Sequence, residues 1–246
     1  MSAPDARRYA DIVVVGGGCY GSYYVRQLER ARAAGAISYE RVVVVDHDPA
    51  CAVARGDTSA ELVAAEWEDF FHGYLSAARA DTRDAIVPSP LMPHLMYRWL
   101  LRRARERWPE RVVETRPLAT LPNTPWSNPA PDGTAYASYA TWTCPINCVE
   151  PARCPHTRGE RSWTMPAAAR DLVRDSGTGG EPLSGPVIFH CTHRAYGVGM
   201  FDTRDVVAGD AFVQAAAAGT PADVLVGTVS HCHGAFNVLH VGAQPV

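Results

Sequence analysis

Ile12-Val13-Val14-Val15-Gly16-Gly17-Gly18-Cys19-Tyr20-Gly21 is the stretch on which the reading of this chain turns. Four consecutive β-branched residues read as a buried strand, and the glycines behind them fall at the G-x-G-x-x-G spacing. A helical run follows, and Arg41-Val42-Val43-Val44-Val45-Asp46 reads as a second strand that ends in an acid. The pattern predicts strand, glycine turn, helix, strand. Each glycine then has a task. Gly16 permits the tight turn out of the strand, Gly18 removes a side chain where a pyrophosphate approaches the backbone, and Gly21 lets the helix pack closely on the strand. The helix start offers N–H groups and the positive end of its dipole to phosphates. The candidate cofactor-binding residues are Gly16, Gly17, Gly18, Cys19, Tyr20 and Gly21, with Asp46 for a ribose diol and His47 beside it. Asp46 follows Gly21 by slightly more than the usual spacing of about 20 residues, and the connection at residues 33–40 accounts for the excess. A carboxylate there repels a 2′-phosphate, so the expected dinucleotide is NAD rather than NADP.

Outward from this unit, the apolar pattern predicts a helix from 20 to 34 with Tyr24, Leu28 and Ala31 inward, and a second helix from 59 to 80. A short strand at 84–88, a helix at 91–107 and a strand at 111–115 follow. Ser89 and His94 lie where loops of such a sheet face a nucleotide, although a capping Ser and a surface His are the preferred explanation. Residues 116–143 lose all period and read as a long loop with the aromatics Trp126, Tyr136, Tyr139 and Trp142. Order returns with a helix from Pro166, a glycine-rich turn at 176–185, a strand at 186–191, a helix at 203–218, a strand at 223–232 and an apolar tail that could pair at an edge. The expected fold class is α/β: a Rossmann-like, doubly wound, mostly parallel sheet interrupted by a long Pro/Cys-rich insertion. Residues 1–115 form the dinucleotide-binding unit, 116–165 the insertion, and 166–246 the strands and helices that complete the same sheet.

With 246 residues, 47% hydrophobic and 20% charged, the composition is that of an ordinary globular protein. A net charge of −3 without a basic stripe argues against a nucleic-acid or anionic-lipid partner. No apolar run is long enough to span a membrane, and the first residues lack the apolar core of a secretory signal, so a cytoplasmic location is expected.

The seven cysteines are Cys19, Cys51, Cys144, Cys148, Cys154, Cys191 and Cys232. An odd number without an export signal argues against a disulfide framework and toward metal binding or reactivity. Cys51 reads as a buried filler, and Cys19 as a variable position of the glycine motif, though a helix N-terminus can activate a thiol. Cys144-Pro-Ile-Asn-Cys148-Val-Glu-Pro-Ala-Arg-Cys154-Pro-His156 is sharper. Its C-x3-C-x5-C spacing, with proline stiffening the loop, suits metal ligation. It resembles the ligand loops of iron–sulfur proteins without the ferredoxin spacing, so a [4Fe–4S] cluster, zinc or free thiols all stay open. The candidate metal ligands are Cys144, Cys148 and Cys154, with Cys191, Cys232 or His156 as the fourth. His190, His193, His231 and His233 cluster about the last two cysteines. Residues 223–232 read as a strand, along which His231 and His233 share a face as a candidate divalent-metal dyad while Cys232 points away.

The first 90 or so residues resemble the nucleotide-sensing domains of the TrkA type and the dehydrogenase unit of siroheme synthases, through Gly16, Gly18, Gly21 and Asp46. The resemblance implies NAD binding and stops before residue 116. Three function classes follow. One is an NAD(H)-binding redox or sensing protein with a cysteine-ligated cluster beside the nucleotide. Hydride chemistry and one-electron cluster chemistry would there need a mediator. Another is a non-enzymatic regulatory subunit that binds a protein partner through residues 116–165. The third is a zinc enzyme using His231, His233 and a cysteine, with Glu150 or Asp202 as base. Assembly as a homo-oligomer is compatible with each.

Overall fold

The computed structural model describes residues 7–144, 148–177 and 182–245. The opening residues read above for a secretory signal lie outside the described residues, as do 145–147 of the cysteine loop and 178–181 of the glycine-rich turn. The chain divides into two compact units, Met1–Met92 with Cys191–Val207, and Pro93–His190 with Ala208–Val246.

In chain order the elements are β1 (Arg7–Val15), α1 (Cys19–Ala33), β2 (Ile37–Asp46), β3 (Glu61–Ala64), α2 (Trp67–Ala77), β4 (Ala85–Val87), α3 (Leu95–Arg107), β5 (Val113–Arg116), β6 (Trp126–Pro129) and β7 (Ala135–Ser138). They continue with α4 (Met165–Ser176), β8 (Leu183–His190), β9 (Thr192–Ala195), β10 (Val198–Asp202), α5 (Thr203–Ala216), β11 (Ala222–Val229) and β12 (His233–Val241).

The first unit is built on a sheet of order β3-β2-β1-β4-β10-β9. Strands β1 to β4 are mutually parallel, whereas β10 runs antiparallel to β4 and β9 antiparallel to β10. The valine runs of β1 and β2 are buried along their length, as strands covered on both faces must be. Helix α1 lays Gly21, Val25, Leu28 and Ala31 on this sheet at helical spacing, with Tyr24 partly buried beside them. The helix expected over 59–80 is in fact β3 followed by α2. Residues 61–64 pair in parallel with Val43 to Asp46 of β2, and tertiary pairing there overrides a weak helical period.

The second unit has its own sheet, of order β6-β7-β12-β11-β8, with β5 also paired to β12. Among the described residues, β8 and β11 are its one parallel pair. Met165, Ala169, Leu225 and Phe236 lie in its core, where α4 packs against β8 and β11. The chain is therefore a mixed α/β protein with two mixed sheets, not one doubly wound sheet. Residues after 166 supply β9 and β10 to the first sheet but β8, β11 and β12 to the second.

The physical reason is a hairpin. The strand does not run through Cys232: Ser230 N–H donates to His233 O at 2.8 Å, and Ser230 Oγ accepts from the N–H groups of Cys232 and His233. The chain reverses there, and β12 pairs with β11 from Val229↔Gly234 to Ala222↔Val241. The apolar tail is thus a central strand. The long loop at 116–143 contains a second hairpin, β6–β7. It turns at Gly133, whose φ of +84° favours glycine, with Asp132 Oδ1 accepting from Thr134 N–H at 3.0 Å. Among the described residues, no helix is long and apolar enough to cross a membrane.

Candidate functional site

Where β1 ends, Gly16 turns the chain with φ of +89°, and its N–H donates to Val45 O at 2.8 Å. A Cβ on Gly21 would stand 1.8 Å from the Gly16 carbonyl oxygen, so only glycine allows α1 to start against the turn. At Gly18, which is exposed, an added Cβ meets nothing within 4 Å. Gly18 is also the N-cap of α1. No side chain caps that end, and its first turn carries no acid. The N–H groups of Cys19, Tyr20 and Gly21 have no acceptor within the helix, and the helix dipole adds positive charge beside them. Open space, free donors and a positive helix end together suit an anion.

Asp46 is 7% exposed at the end of β2. Its Oδ2 accepts from Gly17 N–H at 2.6 Å and its Oδ1 from Asp48 N–H at 2.9 Å. The carboxylate braces the glycine turn and retains lone pairs for a further donor, since an ionised carboxylate offers about four acceptor sites. His47 is exposed, with Nδ1 3.5 Å from Asp46 Oδ1. Cys51 is buried against Gly17, the filler expected from sequence. Trp67, to which no motif pointed, donates from Nε1 to Val45 O at 2.9 Å and sets its ring against Gly16. Ser89 is buried, and its Oγ accepts from Leu91 N–H at 3.2 Å, which shapes the turn after β4.

In the second unit Cys144, Cys148, Cys154 and Cys232 share one neighbourhood around Arg161. Arg161 Nη2 donates to Cys148 Sγ at 3.8 Å, its guanidinium also hydrogen-bonds Cys232, and it lies within electrostatic reach of Cys154. Trp163 Nε1–H donates to Cys232 Sγ at 3.4 Å. The sulfur of Cys154 accepts the backbone N–H groups of Thr157 and His156, which hold its thiol below the usual range. Burial pushes the thiols of Cys144 and Cys232 up, and for Cys144 the charges of the other three cysteines add to the effect. Even so, among the described residues no group of three or more His, Cys, Asp or Glu is gathered as a metal-holding set. The four sulfurs are neighbours with N–H donors aimed at them, not a closed ligand shell.

Glu150 fastens the cysteine loop to the β11–β12 turn. It accepts from Ser230 Oγ at 2.7 Å, His231 N–H at 3.1 Å and Cys232 N–H at 3.2 Å. These bonds make it a brace, not the free base considered from sequence. The His231/His233 dyad does not form on one strand face, because His231 lies in the turn and His233 opens β12. His231 Nε2 is buried with no hydrogen-bond partner among the described residues. His233 Nδ1 lies 3.0 Å from Ser138 Oγ. Ser138 gives its own proton to Ala140 O at 2.7 Å, so His233 is the donor to it. His156 stacks on Trp142 with ring centroids 4.3 Å apart. Cys191 belongs to the first unit, where its sulfur packs against Gly199. Tyr24, pushed up to about 12 chiefly by burial, also feels the Cys191 charge. His193, in the same unit, donates from Nδ1 to Gly197 O at 2.9 Å, and His190 ends β8 opposite Val229.

Neither the curated proteins nor the solved structures contain a match to this chain. A family model does match, over residues 96–242, from the first turn of α3 to just beyond β12. The chain therefore belongs to the family described as "Uncharacterized protein, C-terminal domain".

Proposed function

We propose that this protein binds NAD(H) at the Gly16–Gly21 turn, on a Rossmann-like first unit, and works as a redox or nucleotide-sensing protein. The observation that carries the proposal is the uncapped start of α1 above an open Gly18, with Gly21 seated against the Gly16 oxygen. The parallel order β3-β2-β1-β4 supports it, since ligands of such sheets bind at the carboxyl ends of the strands. In this reading the first N–H groups of α1 hold the pyrophosphate and Asp46 accepts from the ribose hydroxyls. The bound nicotinamide would supply hydride exchange. The Asp46 carboxylate disfavours a 2′-phosphate by charge repulsion. Fluorescence titration tests this: NADH should bind at least about tenfold more tightly than NADPH, a difference of about 1.4 kcal/mol. Equal affinities would remove Asp46 from the site, and binding of neither would end the proposal.

The N–H donors on sulfur favour a second reading, for the other unit. Cys144, Cys148, Cys154 and Cys232 are not gathered as a closed ligand shell, but four soft sulfur donors in one neighbourhood are of the kind that would hold zinc or an iron–sulfur cluster. The backbone N–H groups of Thr157 and His156 favour the thiolate of Cys154, which is the ligand form, whereas burial opposes it at Cys144 and Cys232. Cys191, placed in the first unit, is left out of this set. Metal and acid-labile sulfide analysis of protein purified without air decides it. Iron with sulfide makes a cluster protein, zinc alone a zinc protein, and no metal removes the reading.

A further inference from the structure

The amino ends of the first unit's strands carry a feature that the dinucleotide reading does not use. Arg7 and Arg8 open β1, Arg83 precedes β4, Arg194 lies in β9, and Arg204 follows Asp202 at the end of β10. Because β1 and β4 run parallel and β10 runs against β4, these positions fall on the sheet edge opposite the glycine turn. Together they line a cavity of about 460 Å³.

The charge there is one-sided. Among the described residues, Asp202 is the sole carboxylate in the lining, against five guanidinium groups. It is occupied by two of them, taking Arg194 on Oδ1 and Arg204 on Oδ2, the latter at 3.2 Å. Arg7, Arg8 and Arg83 make no ion pair among the described residues. Arg194 is held in place, its side chain 13% exposed, with Nε donating to Thr192 Oγ1 at 3.0 Å and Nη1 reaching Tyr9 Oη at 3.5 Å. Asp205 adds a second negative charge within electrostatic reach of Arg194 and Arg204, and a chain with a net charge of −3 still concentrates an excess of positive charge in one concavity. Such clustering costs self-repulsion unless an anion relieves it.

We propose that this cavity binds a small organic polyanion, a molecule carrying at least two phosphate groups. Guanidinium forks match phosphate oxygens in pairs, and three arginines without an ion pair among the described residues call for more than one phosphate. The cavity also exceeds what a single phosphate fills. Its concave form suits a small molecule better than a nucleic acid. The site is separate from the glycine turn and stands or falls independently of it.

Calorimetric titration with inorganic triphosphate at low salt is the test. One ion should bind per chain. Arg7→Ala with Arg83→Ala, two exposed side chains, should weaken it by about tenfold or more while the thermal midpoint and NADH affinity hold. Gly18→Val, which acts only at the other edge, should leave triphosphate affinity unchanged. No binding to the parent protein would overturn the proposal. So would triphosphate binding that survives the double arginine change, or that disappears with Gly18→Val.

Discussion

Two glycines of the same turn should respond in opposite ways to one added methyl group. At Gly21 the new Cβ would lie 1.8 Å from the Gly16 carbonyl oxygen and 2.9 Å from its carbon. Both are backbone atoms, so α1 or the turn must move by more than an ångström. Overpacking of this kind costs about 1–3 kcal/mol, and alanine's better helix propensity returns about 0.5–1. A net loss of about 1–2 kcal/mol is expected for Gly21→Ala. For a chain of this size that lowers the thermal midpoint by about 2–8 °C. At Gly18 the backbone is extended, with φ of −71° and ψ of −154°, and the added Cβ meets nothing within 4 Å. Reduced freedom of the unfolded chain favours Gly18→Ala, weaker N-cap character opposes it, and stability should hold within about 1 kcal/mol. Its effect falls on nucleotide binding, because the methyl group occupies the approach to the α1 N-terminus, and Gly18→Val should abolish binding. Thermal unfolding by circular dichroism and NADH titration, run on each variant, separate the two roles. A Gly21→Ala protein as stable as the parent, or a Gly18→Val protein that still binds NADH tightly, would refute the assignment.

Arg111 is a buried cation whose guanidinium donates to the carbonyl oxygens of Gly242, Ala217 and Thr220. Arg111→Leu should destabilise the second unit by about 2–4 kcal/mol in urea unfolding, because the carbonyls lose charged donors where water is scarce. Arg161→Gln should increase zinc retention after mild chelation, since a dication and the guanidinium compete for the same sulfurs, whereas Cys148→Ser should decrease it. Cys19 is exposed in the first turn of α1, while Cys51, Cys154 and Cys232 are buried. Timed alkylation read by mass spectrometry should modify Cys19 before those three, and NAD+ should slow it.

The glycine turn and its flanking strands were legible because they are local: valine runs, glycine spacing and a terminal acid all fall within residues 11–46. The roles of Gly16 and Gly21 could be read from spacing alone. Asp46 could be placed at the strand end, but not its bond to Gly17 N–H, which depends on the register of β1 against β2. The second sheet was hidden by a three-residue turn. Ser230-His231-Cys232 contains neither glycine nor proline, and the apolar residues on both sides read as one strand and a tail. Strands β6 and β7 are only four residues each, β6 pairing with β7 and β7 with β12, so they lack a period of their own. For the cysteines, spacing identified the loop, whereas finding Cys232 rather than Cys191 in the loop's own unit required the fold. Arg161, Trp163 and the bracing role of Glu150 belong to no motif. Only the folded chain brings them to the sulfurs and to the β11–β12 turn.

The most direct test of the central claim is a crystal structure of the full chain grown with NAD+. Pyrophosphate oxygens should lie above Gly18, within hydrogen-bond reach of the first N–H groups of α1, and ribose hydroxyls should lie on Asp46. A nucleotide bound elsewhere, or a glycine turn left empty at saturating NAD+, would contradict that claim.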